Sequence, residues 1–153
     1  MAITVQVGAG PGTEERPDFA GMLPGLRRLL ASAVRTVLRR EGVRDAEFSI
    51  TLLDDAGIAD LNSRFLSHPA ITDVIAFALY EPPESPVGDV YIGYDQASRQ
   101  ADSAGVTGDE ELVRLTVHGV LHVLGHDHPA GEDRVEGGMW QVQETLVREI
   151  MGE

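Results

Sequence analysis

Residues 107–128 read TGDEELVRLTVHGVLHVLGHDH, and this stretch predicts a long apolar helix that carries histidines. Thr107 and Glu110 fit a capping box, in which two side chains satisfy backbone groups at the start of a helix. Gly125 can adopt the left-handed backbone conformation that ends a helix and turns the chain back. Between these two signals, apolar residues recur at helical spacing: Leu112, Val113, Leu115, Val117, Val120, Leu121 and Leu124.

Four of the five histidines of the chain lie within eleven residues of this stretch. On a helix, His118 and His122 stand one turn apart on the same face, a separation that suits two imidazoles bound to one zinc ion. After the turn at Gly125, His128 can reach the same metal. Burying three histidines on an apolar helix without a common partner would cost free energy. We therefore expect about one zinc per chain, held by His118, His122 and His128, with His126 out of register.

The residue after the first histidine separates two kinds of zinc chemistry. Metzincin proteases share the histidine spacing but carry Glu directly after the first His, as general base. Here that residue is Gly119, which disfavours peptide hydrolysis by the usual route. Three neutral ligands keep the full metal charge and leave one coordination position open, which suits phosphodiester chemistry.

Length and composition indicate a globular chain rather than a disordered or disulfide-stapled one. The chain has 153 residues, 42% of them hydrophobic and 24% charged, and contains no cysteine. Disulfide partners, cysteine nucleophiles and thiolate metal sites are thereby excluded. The net charge of −13 argues against indiscriminate nucleic-acid binding. No apolar run reaches membrane-spanning length and the N-terminus lacks a signal pattern, so we expect a cytosolic protein without a membrane partner.

Hydrophobic periodicity predicts strands mixed with helices in irregular order. The predicted strands cover residues 3–7, 48–52, 74–80 and 90–92, and the strand at 74–80 is expected to be buried because its run is apolar throughout. The other predicted helices cover residues 22–38, 58–66, 95–104 and about 133–150. This pattern is typical of an α+β or mixed α/β single domain.

Arginines mark two further candidate surfaces. The three residues Arg28, Arg35 and Arg39 are spaced to share one face of the first long helix, which is either a solvated face or a phosphate-binding strip. Arg114 lies one turn before His118. Its guanidinium either meets a phosphate beside the metal or pairs with one of the two glutamates one turn earlier.

The histidine stretch resembles the H-G-x-L-H-x-x-G-[YH]-D-H signature of the YbeY family of bacterial rRNA maturation factors and metal-dependent endoribonucleases. Further similar segments are Leu61-Asn62, Thr72–Phe77 and Gly88–Ile92. The resemblance covers almost the whole chain. It implies an α+β fold over residues 1–153, a compact mixed sheet of about four strands flanked by helices, one of which binds zinc. It also implies cytosolic work on ribosomal RNA.

One position departs from the family pattern. The family usually carries an active-site Arg a few residues after the Leu-Asn pair, and the corresponding residue here is Leu66, with Arg64 nearby. We predict that Arg64 or Arg114 supplies part of the missing charge, with Arg114 favoured because its helix also carries His118. The general base stays open among metal-bound hydroxide, His126 and the 2′-hydroxyl of the RNA.

The histidine motif favours a zinc-dependent enzyme, and the resemblance implies an endoribonuclease that acts on ribosomal RNA of the small subunit, in maturation of its 3′ end and in ribosome quality control. A zinc hydrolase of peptides or small amides is one alternative, and Gly119 is the feature against it. A non-catalytic ribosome-assembly factor with structural zinc is the other. A structural zinc site would need a fourth protein ligand, whereas the histidine motif supplies three.

Overall fold

The computed structural model describes residues 2–66, 72–126 and 138–153. Its elements, in chain order, are β1 (Ile3–Ala9), α1 (Pro17–Ala20), α2 (Leu23–Arg40), β2 (Ala46–Leu53), α3 (Asp55–Leu66), β3 (Val74–Ala78), β4 (Val87–Gly93), α4 (Tyr94–Ala104), α5 (Gly108–Val123) and α6 (Gly138–Met151). Each predicted strand and helix corresponds to one of them. The short α1, which begins at Pro17, was not predicted, and the predicted start of the last helix lies outside the described residues.

The four strands form one mixed sheet in the order β1-β2-β4-β3. The first three are parallel, and β3 runs antiparallel to β4. This arrangement confirms the predicted α+β fold with a four-stranded mixed sheet. The expectation that residues 74–80 form a buried strand was wrong. β3 is an edge strand in which Ile75 is buried but Ala78 is exposed, because β3 has a neighbour on one side only.

Helix α5 crosses one face of the sheet and packs against α2, α4 and α6 as well. Two glycines allow the close approach of α5 to β4. A Cβ atom on Gly119 would lie 2.6 Å from Cγ1 of Val90, and one on Gly88 would lie 2.7 Å from Cγ1 of Val123. The backbones of helix and strand therefore approach more closely than two side-chain-bearing positions would allow.

The core lies between α5, the sheet and α2. It is one cluster in which Leu30, Val34 and Leu38 of α2 meet Val117, Val120 and Leu121 of α5 and the inward residues of the strands. The predicted apolar stripes of the two long helices are thus the residues that build the core. Within the described residues, none of the helices is long and apolar enough to cross a membrane.

Candidate active site

A cavity of about 480 Å³ lies beside α5, at the start of β3 and next to α4 and α6. Its lining includes Asp73, Gln100, Arg114, His118, Trp140 and Gln143. The cavity brings together residues from four separate parts of the chain. It contains the first histidine of the predicted metal site and the arginine one turn before it.

His118 is half-buried, and its Nδ1 atom lies 2.8 Å from Oε1 of Gln143 on α6. Gln143 is buried, with 3% of its surface exposed. A buried amide keeps a fixed orientation when both of its ends have partners, and Nε2 of Gln143 donates to Oε2 of Glu144 at 3.2 Å. The ring of His118 is therefore held from the side of Nδ1.

His122 is exposed one turn further along α5. The helix ends at Val123, and Gly125 has a φ of +101°, which confirms the predicted left-handed turn. His126 is hydrogen-bonded through Nε2 to the carboxylate of Glu41, the residue that follows α2. The predicted third ligand, His128, lies outside the described residues, so the three-histidine site stays a prediction.

The donor set fits a metal as far as the structure describes it. The residues 2–66, 72–126 and 138–153 contain no complete group of three ligands. They do place two histidines one turn apart on α5. One of these, His118, is held through Nδ1 by a neutral acceptor, the arrangement that is usual for a metal-binding imidazole.

Arg114 is bound by three carboxylates. Its Nε and Nη2 atoms donate to the two oxygens of Glu144 at 2.9 and 3.0 Å. Nη1 donates to Glu111 at 2.9 Å and Nη2 to Glu110 at 3.0 Å. Of the two interpretations of Arg114, the structure therefore shows the pairing with both preceding glutamates. A contact between Arg114 and phosphate stays a prediction.

These contacts shift two pKa values in opposite directions. The hydrogen bonds to Glu144 raise the pKa of Arg114 above its ordinary value. Burial opposes this shift, and the hydrogen bonds to the other two glutamates add to it. Burial acts to raise the pKa of Glu144, but the hydrogen bonds from Arg114 and Gln143 and the charge of Arg114 outweigh it. The pKa of Glu144 therefore lies below its ordinary value. Both groups are charged at neutral pH.

Gly119 cannot be replaced by a catalytic carboxylate. It is buried against β4, and its missing side chain would point at Val90 rather than into the cavity. A Glu at this position would have to displace a fully buried strand residue. The packing thus explains the glycine and strengthens the argument against a metzincin-like general base.

The other predicted arginines lie on the surface. Arg64 is exposed and pairs with Asp60 at 3.2 Å. Arg28, Arg35 and Arg39 are exposed on α2, and their side chains form no hydrogen bond or ion pair with other described residues. Two of them, together with one further arginine, line a separate groove of about 390 Å³, whose lining is Ile3, Arg35, Arg39, Val43 and Arg44.

The structure adds site residues that the sequence analysis missed. Gln143, Trp140 and Asp73 all line the cavity, yet none was predicted to take part in the site. Gln143 contacts His118 across 25 positions of sequence, so no local spacing pattern could reveal it. Asp73 had a usable signal, because it belongs to the Thr72–Phe77 segment that resembles the family pattern.

Comparison with known proteins gives consistent matches. A family model described as endoribonuclease YbeY matches residues 20–151. A protein named endoribonuclease YbeY from Mycolicibacterium gilvum is 39% identical over 136 residues, which cover 81% of this chain and 75% of the relative. A protein of the same name from Thermus thermophilus is 36% identical over 131 residues, which cover 83% of this chain and 90% of the relative. A solution structure from Thermotoga maritima aligns with a TM-score of 0.63 and 26% identity, covering 99% of this chain and 90% of that one.

Proposed function

The chain belongs to the YbeY endoribonuclease family, and on this basis we propose that it hydrolyses RNA phosphodiester bonds with zinc as its cofactor. Its proposed substrate is ribosomal RNA of the small subunit, in maturation of the 3′ end and in ribosome quality control. Such a substrate places the proposed action in the cytoplasm. The observation that carries the proposal is the cavity in which His118, oriented by Gln143, lies beside the residues that bind Arg114.

We assign the zinc to His118, His122 and His128. When bound there, zinc supplies a positive charge that activates water and stabilises the charge that develops on phosphate oxygens. The described lining supports a site that works with a bound cation. It carries three carboxylates, on Asp73, Glu111 and Glu144, against one guanidinium, and such a lining alone would repel an RNA phosphate.

The residues of this chain have separable tasks in the proposed reaction. His118 and His122 hold their rings toward one side of α5, and the burial of the helix between β4 and α2 keeps that side in place. Arg114, or Arg64 from α3, supplies the charge that the family takes from the Arg replaced here by Leu66. Arg114 donates four of its five N–H groups to carboxylates, so only one is left for a phosphate.

We assign RNA binding to the exposed arginines of α2. Of the eleven arginines that the structure describes, seven have no carboxylate partner among the described residues, and six of these seven lie between residues 27 and 44. Arg16, Arg64, Arg99 and Arg114 pair with carboxylates, and the remaining arginine without a carboxylate partner, Arg148, lies on α6 and donates to Oγ1 of Thr145. Arg28, Arg35 and Arg39 pair with none of the carboxylates that the structure describes, which leaves their charge available to phosphates.

The two acids closest in sequence to this arginine surface have other hydrogen-bond partners. Glu41 is hydrogen-bonded to His126, and Oδ1 of Asp45 accepts from the backbone N–H of Ala2. The contact between Glu41 and His126 also places the end of α2 next to the end of α5. A bound RNA could therefore extend from the histidine site toward the arginines of α2.

Cleavage assays on two substrates test the proposal. The full chain is incubated with a precursor of small-subunit rRNA and, separately, with casein, each with and without a chelator. We expect cleavage of the RNA alone, its loss with chelator and its return when zinc is added. His122→Ala should abolish the cleavage, whereas Arg99→Gln, which changes an exposed arginine on α4, serves as a matched surface control.

Each other outcome contradicts a different part of the proposal. Casein cleavage would favour the peptide hydrolase. RNA cleavage that survives both chelator and His122→Ala would remove the metal from the mechanism. If the rRNA precursor stays uncleaved in every reaction while the protein still binds zinc, the result would favour the assembly factor.

A further inference from the structure

We propose that Gln143 is a positioning residue that fixes the tautomer and the ring orientation of His118, and that Arg114 holds Gln143 in place through Glu144. The inference rests on the proposed function only in taking His118 as a metal ligand. The four N–H groups of Arg114 that bind carboxylates then support that ligand, and the fifth is the one left for substrate.

Glu144 carries a carboxylate that can only accept hydrogen bonds. Arg114 donates to both of its oxygens, at 2.9 and 3.0 Å, and so keeps the carboxylate ionised and fixed. The side-chain nitrogen of Gln143 lies 3.2 Å from Oε2 of Glu144. The reversed amide would place two oxygens together there, so the NH₂ group must face Glu144.

The orientation of the amide determines the proton on His118. With its NH₂ group toward Glu144, Gln143 presents Oε1 to Nδ1 of His118 at 2.8 Å. An amide oxygen only accepts, so Nδ1 must carry the proton and donate it. In a neutral imidazole, the lone pair then lies on Nε2, the form in which a histidine can bind a metal through that atom.

Burial makes the arrangement specific. Gln143 is 3% exposed, and the side chain of Arg114 is 18% exposed, so water competes weakly for these hydrogen bonds. A glutamine is the residue that suits the position. Its amide donates to Glu144 at one end and accepts from His118 at the other, whereas an apolar residue does neither.

The first test reads the tautomer directly in the metal-free protein. Long-range ¹H–¹⁵N NMR spectra of the ¹⁵N-labelled full chain, recorded after chelator treatment at neutral pH, show which ring nitrogen of His118 is protonated. We expect Nδ1–H in the wild type. Gln143→Leu should lose this preference because leucine cannot accept from Nδ1. Gln141→Leu is the matched control, since Gln141 is exposed on the same helix.

The second test measures zinc affinity by competition with a chelator. Gln143→Leu should weaken zinc binding by about 10- to 100-fold, the usual effect of removing a hydrogen bond to a metal ligand. Arg114→Gln should weaken it in the same direction, and Gln141→Leu should leave it unchanged. Far-UV circular dichroism and thermal unfolding of each variant report whether it has folded. If Gln143→Leu does not fold, Arg114→Gln and the wild-type tautomer carry the test.

Two results would overturn the inference: an Nε2–H tautomer in the wild type, or zinc affinity in folded Gln143→Leu within twofold of the wild type. Failure of the proposed function is distinguishable from both. A wild-type protein that shows the Nδ1–H tautomer but binds no zinc, or binds zinc without cleaving RNA, contradicts the function and leaves the positioning of His118 intact.

Discussion

Replacing Gly119 with Ala should destabilise the protein, although the same replacement stabilises most helices. The added Cβ would lie 2.6 Å from Cγ1 and 3.2 Å from Cγ2 of Val90, a fully buried residue on a central strand that has no room to move aside. Overpacking of this kind costs roughly 1–3 kcal/mol, and we take the upper part of that range because the contact is so short. The gain in helix propensity from Gly to Ala offsets about 1 kcal/mol. The expected net loss is about 1–2 kcal/mol, or roughly 2–8 °C in Tm for a chain of this size.

Urea unfolding followed by circular dichroism measures this change, and two further variants make it specific. Gly25→Ala is the matched control, because Gly25 lies on α2 with nothing within 4 Å of the place that an added Cβ would take, and it should gain up to about 1 kcal/mol. In a Val90→Ala background both clashing methyl groups are gone, so Gly119→Ala should become neutral or stabilising. A Gly119→Ala protein at least as stable as the wild type, with no change of sign in the Val90→Ala background, would refute the close-packing argument.

Two other predictions concern charge. Changing Arg28, Arg35 and Arg39 together to Gln should flatten the slope of log RNA affinity against log salt by up to about 2–3 without unfolding the protein. Changing Arg99 and Arg148 to Gln should leave that slope unchanged. An unchanged slope in the triple variant would favour a merely solvated face. The pKa of Glu144 is lower in the folded than in the unfolded state. Its ionised carboxylate therefore stabilises the fold at pH values above the unfolded-state pKa. This stabilisation is lost as the pH falls through the folded-state pKa. The free energy of unfolding should therefore fall less on the acid side in Glu144→Gln than in the wild type, and identical acid-side slopes would contradict this.

Much of α5 could be predicted because its limits depend on local signals. Oγ1 of Thr107 accepts from the backbone N–H of Glu110 at 3.1 Å, which is one of the two hydrogen bonds of the predicted capping box. The backbone of Gly125 has a positive φ, which turns the chain just after the end of α5. Both signals act within one or two turns of chain, so they are present in the sequence itself.

The environment of each element was harder to predict, because it depends on residues far away in the chain. The apolar run at 74–80 has the composition of a buried strand, yet its position at the sheet edge follows from pairing with β4 alone. For the same reason, the ion pairs of Arg114 with the glutamates one turn earlier could be predicted from the sequence. Its ion pair with Glu144, 30 positions away, could not. The acceptor for His118 was likewise beyond any local pattern.

Elemental analysis of the full chain, purified without added metal, tests the central claim most directly, namely that His118, His122 and His128 hold one zinc ion. The wild type should contain about one zinc per chain, and replacing any one of the three histidines with Ala should abolish it. His126→Ala should keep the metal, because His126 is bonded to Glu41 instead. Stoichiometric zinc in the His122→Ala protein would contradict the account.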